Sequence, residues 1–177
     1  MMKYKTILVD PPWQYRNKKT GGSMISGSES KYPTMSLDEL LKLPIQNLSD
    51  RDCVLFLWAT TPLLPEAFQL MKGWNFTYKT AIFWRKIMSL GMGFWFRGQM
   101  EMCLLGIKGK VKAFRAQRCN VIQSKALKHS QKPVELYDLI EPYILDPKIE
   151  LFARNRREGW DVWGNEIDND INMEDYI

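Results

Sequence analysis

The apolar run Ile7-Leu8-Val9 breaks off at Asp10-Pro11-Pro12-Trp13, and that junction constrains the chain more than any other short stretch. Proline has no backbone N–H and a fixed φ, so two in succession cannot extend a sheet ladder. Each also biases the residue before it toward extended backbone. Tyr4 to Val9 therefore reads as a buried strand with a carboxylate at its exit. An acid, two prolines and an aromatic ring in that order suit chemistry on an exocyclic amine. The amine of adenine is a poor nucleophile because its lone pair is delocalised into the ring. A carboxylate and a backbone carbonyl that accept its two N–H bonds favour a more tetrahedral nitrogen. The prolines supply carbonyls free to face a pocket without competing donors, and Trp13 supplies a face for a base drawn out of its stack. The same four residues also suit a plain surface turn whose Trp caps the core.

The 177 residues suffice for one domain with a sizeable core, and 45% hydrophobic with 25% charged residues is ordinary for a soluble globular chain. A net charge of +5 leans mildly toward a polyanionic partner. Cys53, Cys103 and Cys119 are widely spaced and there is a single His, so no metal-ligand pattern is present. No apolar run reaches the roughly 18 residues a membrane span requires, and no signal segment precedes the first strand. A cytoplasmic location with no membrane partner is expected.

Strands are expected at Tyr4–Val9, Cys53–Trp58, Phe76–Lys86, Met100–Ile107, Lys148–Ala153 and Trp160–Trp163. Ser36-Leu37-Asp38-Glu39 has capping-box form and should open a helix that ends before Pro44. Thr61-Pro62 should open another, running to Lys72, and Pro133 a third that Pro142 ends. The polar stretch Gln14–Thr34 reads as a loop that orders on ligand binding as a lid. Met88–Gln99 reads as a second loop, with Gly106-Ile107-Lys108-Gly109 as an exit turn. Arg115–Lys128 is basic and weakly patterned. Residues 1–167 read as one domain, and 168–177 as an acidic tail, frayed or a contact arm. Alternating strands and helices predict an α/β fold with a mainly parallel sheet flanked by helices, whose ligands bind at the carboxyl ends of the strands.

Read together, Asp10-Pro11-Pro12-Trp13, Tyr32-Pro33-Thr34-Met35, Leu55-Phe56-Leu57-Trp58, Ile82-Phe83-Trp84-Arg85-Lys86, Glu101 to Gly106, His129 to Pro133, Ile149 to Arg154, and Gly164-Asn165 resemble the MT-A family. The likeness runs from Ile7 to Ile167. It implies a Rossmann-like class I methyltransferase fold in permuted order, with the catalytic strand first and the cofactor strand near the C-terminus. It also implies an S-adenosyl-L-methionine-dependent methyltransferase acting on the exocyclic N6 of adenine in nucleic acid.

The resemblance distributes roles. Asp10, Pro11, Pro12 and Trp13 are the catalytic set. Lys132 is the cation for the methionine carboxylate, Asp10 can also take the methionine ammonium, and Arg154, Asn165 and Glu166 serve the ribose hydroxyls. Trp13 and Tyr32 are stacking candidates, while Trp84, Lys86, Arg97 and Glu101 belong at the mouth of the site. For Trp84 and Trp95 core packing is the competing reading. His129 reads as structural or loop-exposed. Arg115, Arg118, Lys125 and Lys128 suit either phosphate contacts or a solvated loop. Two departures stand out. Only six residues precede Ile7, so the cofactor adenine must be held elsewhere, around Asn120–Gln123 or Trp163, or in a more open pocket. Ala153 and Arg154-Asn155-Arg156 replace a Gly and a His found in the messenger-RNA enzymes.

An active DNA-modifying adenine methyltransferase is the first expectation, with RNA as the alternative substrate. A nucleic-acid-binding subunit of a heteromeric enzyme is a second reading, opposed by the intact Asp10-Pro11-Pro12-Trp13. A small-molecule methyltransferase is a third, opposed by the basic balance of charge and the wide aromatic mouth that the resemblance implies. A homodimer or heterodimer fits a domain this small.

Overall fold

A computed structural model describes residues 1–14, 33–88, 95–125 and 131–177. The expected lid in Gln14–Thr34 lies almost wholly outside these residues, as do Tyr32, Lys128 and His129. The sheet has seven strands: β1 (Tyr4–Val9), β2 (Ser49–Thr60), β3 (Thr77–Ile87), β4 (Met100–Lys108), β5 (Val121–Lys125), β6 (Lys148–Leu151) and β7 (Asp161–Trp163). Their order is β5-β3-β4-β2-β1-β6-β7, and only β4 runs antiparallel to its neighbours. The helices are α1 (Leu37–Leu41), α2 (Ile45–Leu48), α3 (Leu64–Gly73) and α4 (Glu135–Ile140). This is the mainly parallel, Rossmann-like arrangement expected. The first strand and the expected cofactor strand, β6, are direct neighbours, with Val9 opposite Leu151.

Period-2 alternation splits the apolar residues between two faces. Ile7, Val9, Leu55 and Leu57 join a core with α1, α2 and α3, while Leu8, Val54, Phe56 and Trp58 join one with α4. Strands buried on both faces read as continuous apolar runs, which is why β1 and β2 are plain in the sequence. The α1 cap is the full reciprocal box: the Glu39 N–H donates to Ser36 Oγ, and the Ser36 N–H donates to the Glu39 carboxylate at 2.7 Å. Pro62 sits in a 3-10 turn, Thr61–Leu63, that leads into α3. Among the described residues no helix is long and apolar enough to cross a membrane.

Three expectations change. The basic stretch after Arg115 contains an edge strand, β5, paired in parallel with β3. Gly106 to Lys108 belong to β4, and the turn falls at Gly109, whose φ of +73° glycine alone adopts readily. The C-terminal residues are not frayed. Met173 and Tyr176 are buried in the α1–α3 core, Asn47 donates to the Tyr176 carbonyl at 2.7 Å, and the Asp170 carboxylate accepts from the Val162 N–H and Arg156.

Candidate active site

β1 lies between β2 and β6, all three parallel, so its carboxyl end opens between theirs on one edge of the sheet. The ladder ends at Asp10 because Pro11 and Pro12 have no N–H to donate. Beyond it the chain is tightly pinned. The Trp13 N–H donates to the Pro11 carbonyl at 2.8 Å, and the Met35 N–H donates to the Pro12 carbonyl at 2.8 Å. The proline carbonyls are therefore not free of donors as expected, although each keeps a second lone pair. Trp13 is buried in the core, and its indole N–H donates to the Trp58 carbonyl at 3.1 Å. It anchors the turn instead of offering an open stacking face.

The Asp10 side chain meets Lys132, whose Nζ lies 2.8 Å from Oδ1 and 2.9 Å from Oδ2. Lys132 also approaches Glu101 Oε2 at 3.4 Å, and Glu101 makes a close ion pair with Lys86. Carboxylates and ammoniums thus alternate from Asp10 through Lys132 and Glu101 to Lys86. Two indoles support the chain from below. Lys132 sits 5.4 Å from the centre of the Trp58 ring and Lys86 4.9 Å from that of Trp84. Burial alone would raise the Glu101 pKa, but the Lys132 and Lys86 ammoniums hold it below the ordinary carboxylate value. For Lys132 burial works against the charge, and Asp10 and Glu101 outweigh it, lifting its pKa above that of an ordinary lysine.

The fold thus brings Asp10, Lys132, Glu101 and Lys86 to one place. Lys132, expected for a methionine carboxylate, donates to Asp10 and stands 3.4 Å from Glu101. Trp84, expected at the mouth, is core: it is buried, stacks edge-on to Trp58 at 6.2 Å, and donates to Ser124 Oγ at 3.0 Å. Trp95, for which core packing was the competing reading, is 94% exposed, and Arg97 is exposed beside it.

A cleft opens beside Asp10, lined also by Gln131, Lys132, Tyr137, Glu150, Phe152, Arg154 and Asn155. β6 leads into it and then turns sharply at Phe152, which has φ +60°. That left-handed backbone costs a residue with a Cβ about 1–2 kcal/mol. The Phe152 ring packs edge-on against Trp163 at 5.2 Å, and the Ala153 N–H donates to the Trp163 carbonyl at 3.1 Å. Arg154 Nε stands 3.9 Å from Glu166 Oε1, while Asn165 and Glu166 follow β7 at the same edge. Asn120–Gln123 cannot build a pocket here. β5 is at the far edge, five strand spacings from β6, or roughly 24 Å.

Glu150 escaped the sequence reading. It lies on β6 opposite Leu8, accepts a 2.6 Å hydrogen bond from the Tyr137 hydroxyl, and burial pushes its carboxyl up to about 7. The signal was present: a carboxylate within the apolar strand Ile149-Glu150-Leu151 is costly unless a partner or ligand meets it.

The MT-A70 family model matches residues 4–166. The chain is 37% identical to the Type II methyltransferase M.MunI of a Mycoplasma species, over 97% of this chain and 81% of that protein. It is 33% identical to the N(6)-adenosine-methyltransferase subunit METTL3 of Danio rerio and 32% to the METTL3 catalytic subunit of Homo sapiens. In each case the match covers 94% of this chain and 28% of the relative. A match that spans all seven strands, from β1 with Asp10 at its exit to β7, shows that the chain belongs to the MT-A70 family of methyltransferases.

Proposed function

We propose that the protein transfers a methyl group from S-adenosyl-L-methionine to the exocyclic N6 amine of adenine in nucleic acid, with DNA as the substrate. The observation that carries this reading is the position of Asp10: a carboxylate fixed at the carboxyl end of β1, between two parallel strands and beside a cleft that the neighbouring β6 also lines. Asp10 accepts one amine N–H, and the unused lone pair of the Pro11 carbonyl accepts the other. Lys132, bound to both Asp10 oxygens, fixes the rotation of that carboxylate, and Glu101 with Lys86 fixes Lys132 in turn.

The cleft suits the cofactor by its donor set. Asp10 and Glu150 offer carboxyl groups to a cation bearing a sulfonium and an ammonium, while Arg154 and Asn155 in the cleft, with Asn165 and Glu166 after β7, offer polar groups to ribose hydroxyls. Phe152 and Trp163 offer apolar faces. When bound, S-adenosyl-L-methionine supplies an electrophilic methyl group. The chain's own part is to hold the amine in line with it at roughly 3–3.5 Å, a contribution of position and not of strong acid or base.

DNA is favoured because likeness to the type II methyltransferase takes in 81% of that protein, against 28% for the METTL3 relatives. Identity of 32–33% to METTL3 over 94% of this chain favours RNA as the second reading. A dimer, of like or unlike subunits, and a cytoplasmic location belong to the same proposal.

The test is incubation with methyl-labelled S-adenosylmethionine and mixed DNA and RNA, followed by mass spectrometry of the released nucleosides. N6-methyladenine from DNA is expected. The mark confined to RNA would keep the chemistry and change the substrate, and no methylated nucleoside would contradict the catalytic reading.

A further inference from the structure

Between Ala67 and Val134 the sequence holds thirteen Lys and Arg against a single carboxylate, Glu101. From Glu135 to the end it holds twelve carboxylates against four Lys and Arg. The strand order sorts these segments in space. β3, β4 and β5 come from the first and form one end of the sheet; β6 and β7 come from the second and form the other. The molecule is electrically polar along its sheet, with the Asp10 edge between the poles.

The basic end also carries uncovered surface. On β3 and β5, Arg85, Ile87, Val121, Gln123 and Lys125 alternate with the buried Trp84 and Ile122, and all five are exposed. The parallel register sets Arg85 against Gln123 and Ile87 against Lys125. Beyond this face the β3–β4 connection presents Trp95 and Phe96, 94% and 88% exposed, followed by Arg97. Two neighbouring aromatic rings left this bare on a globular chain are unusual. Their place is fixed by the stem below them. The Lys86 N–H donates to the Gln99 carbonyl at 2.8 Å, which puts Trp95 within roughly 14 Å of the stem by chain reach. Two residues past Gln99 is Glu101, already bound to Lys132 and hence to Asp10.

We propose that nucleic acid docks across the β5–β3 end of the sheet, with phosphates on Arg85, Arg97 and Lys125 and bases stacked on Trp95 and Phe96, and so reaches the Asp10 edge from the basic side. The choice of a nucleic-acid occupant rests on the function proposed above. Charge selects it over a second copy of the chain, because a two-fold pairing through this face would set two strongly cationic surfaces against each other. Stacking on exposed rings tolerates any base, and each phosphate neutralised releases a counterion.

The experiment measures equilibrium binding of a fluorescein-labelled mixed-sequence DNA strand and its duplex across a salt series, with no methyl donor present. Trp95→Ala/Phe96→Ala should weaken single-strand binding roughly 10-fold or more while leaving the salt slope unchanged. Arg85→Gln/Lys125→Gln should flatten the slope of log K against log salt for the duplex by about 1.8, near 0.9 per lost contact. Lys42→Gln/Arg51→Gln, exposed just past α1 and on β2, is the control and should bind as wild type. Wild-type binding by both test variants, or an equal loss in the control, would overturn the docking surface. So would sedimentation showing a dimer that Trp95→Ala/Phe96→Ala dissolves without changing DNA affinity, which would give the face to a second copy. Because turnover is not required, binding lost in the variants of a protein that makes no N6-methyladenine would keep this surface and reject the catalytic reading. Turnover with unchanged variant binding would do the reverse.

Discussion

Lys132→Met is the sharpest perturbation of the site that leaves Asp10 and Pro11 themselves in place, removing the cation that holds the Asp10 carboxylate. Lys132 lies 2.8 Å from Asp10 and 3.4 Å from Glu101, and the three side chains are 18%, 22% and 14% exposed. At an effective dielectric of about 20, each ion pair at this range is worth about 5–6 kcal/mol before desolvation is counted. Removing one partner of a fully buried pair costs about 3–5 kcal/mol. Residual exposure lowers that, so a loss of about 2 kcal/mol is expected, or roughly 4–8 °C for a domain of this size. The loss should also depend on pH. In the wild type Glu101 is held below its ordinary 4.5, so its contribution is complete above that value and disappears as pH falls through the folded-state value. Without Lys132, burial is opposed by Lys86 alone, the Glu101 carboxyl rises, and the loss sets in at higher pH. Thermal denaturation between about pH 4 and 8 reads this directly. Glu101→Gln completes the cycle: it should cost less in the Lys132→Met background than in wild type, with a coupling of about 1–2 kcal/mol. Coincident melting of Lys132→Met and wild type at every pH, or strict additivity of the two substitutions, would refute the network.

Two further outcomes concern residues outside that network. Glu150, at about 7 in the folded protein against 4.5 for an ordinary Glu, binds more protons folded than unfolded between those values. Stability should therefore fall as pH rises across that window, by up to about 3 kcal/mol. Glu150→Gln should abolish the slope in urea denaturation, and identical slopes for the two proteins would refute the assignment. Tyr176→Ala should cost about 3 kcal/mol in the same assay, because its ring is buried in the α1–α3 core. An unchanged urea midpoint would return the C-terminus to a frayed end.

What the sequence made legible follows from where the physics is local. β1, the α1 capping box, the core of β2 and the stop at Pro142 are set by residues within one turn or strand of each other, and they were read correctly. β5 was missed because one residue in its Val121–Lys125 run, Ile122, is buried; pairing with β3 makes it a strand, and no alternation announces it. Met173 and Tyr176 lie in an acidic stretch whose composition masks two apolar residues that share a core. Trp84 and Trp95 show the limit most clearly. Equal in composition, they differ because Trp84 lies within a strand against Trp58, whereas Trp95 stands in the connection above it. The site was legible as far as its motifs reached. Asp10 and Lys132 are separated by 122 positions in the chain, and that they bind each other was not foreseen; only the fold brings them together.

The most direct measurement is the rate of methyl transfer by wild type and Asp10→Asn under single-turnover conditions, with circular dichroism confirming that both are folded. Asn fills the same space but replaces one accepting oxygen with a donor, so it opposes the amine it should receive. A fall of roughly 10²–10³-fold or more is expected, the scale of losing one aligned electrostatic partner of the reacting group. Transfer to adenine within a few fold of wild type would contradict the claim that the carboxylate ending β1 receives the target amine.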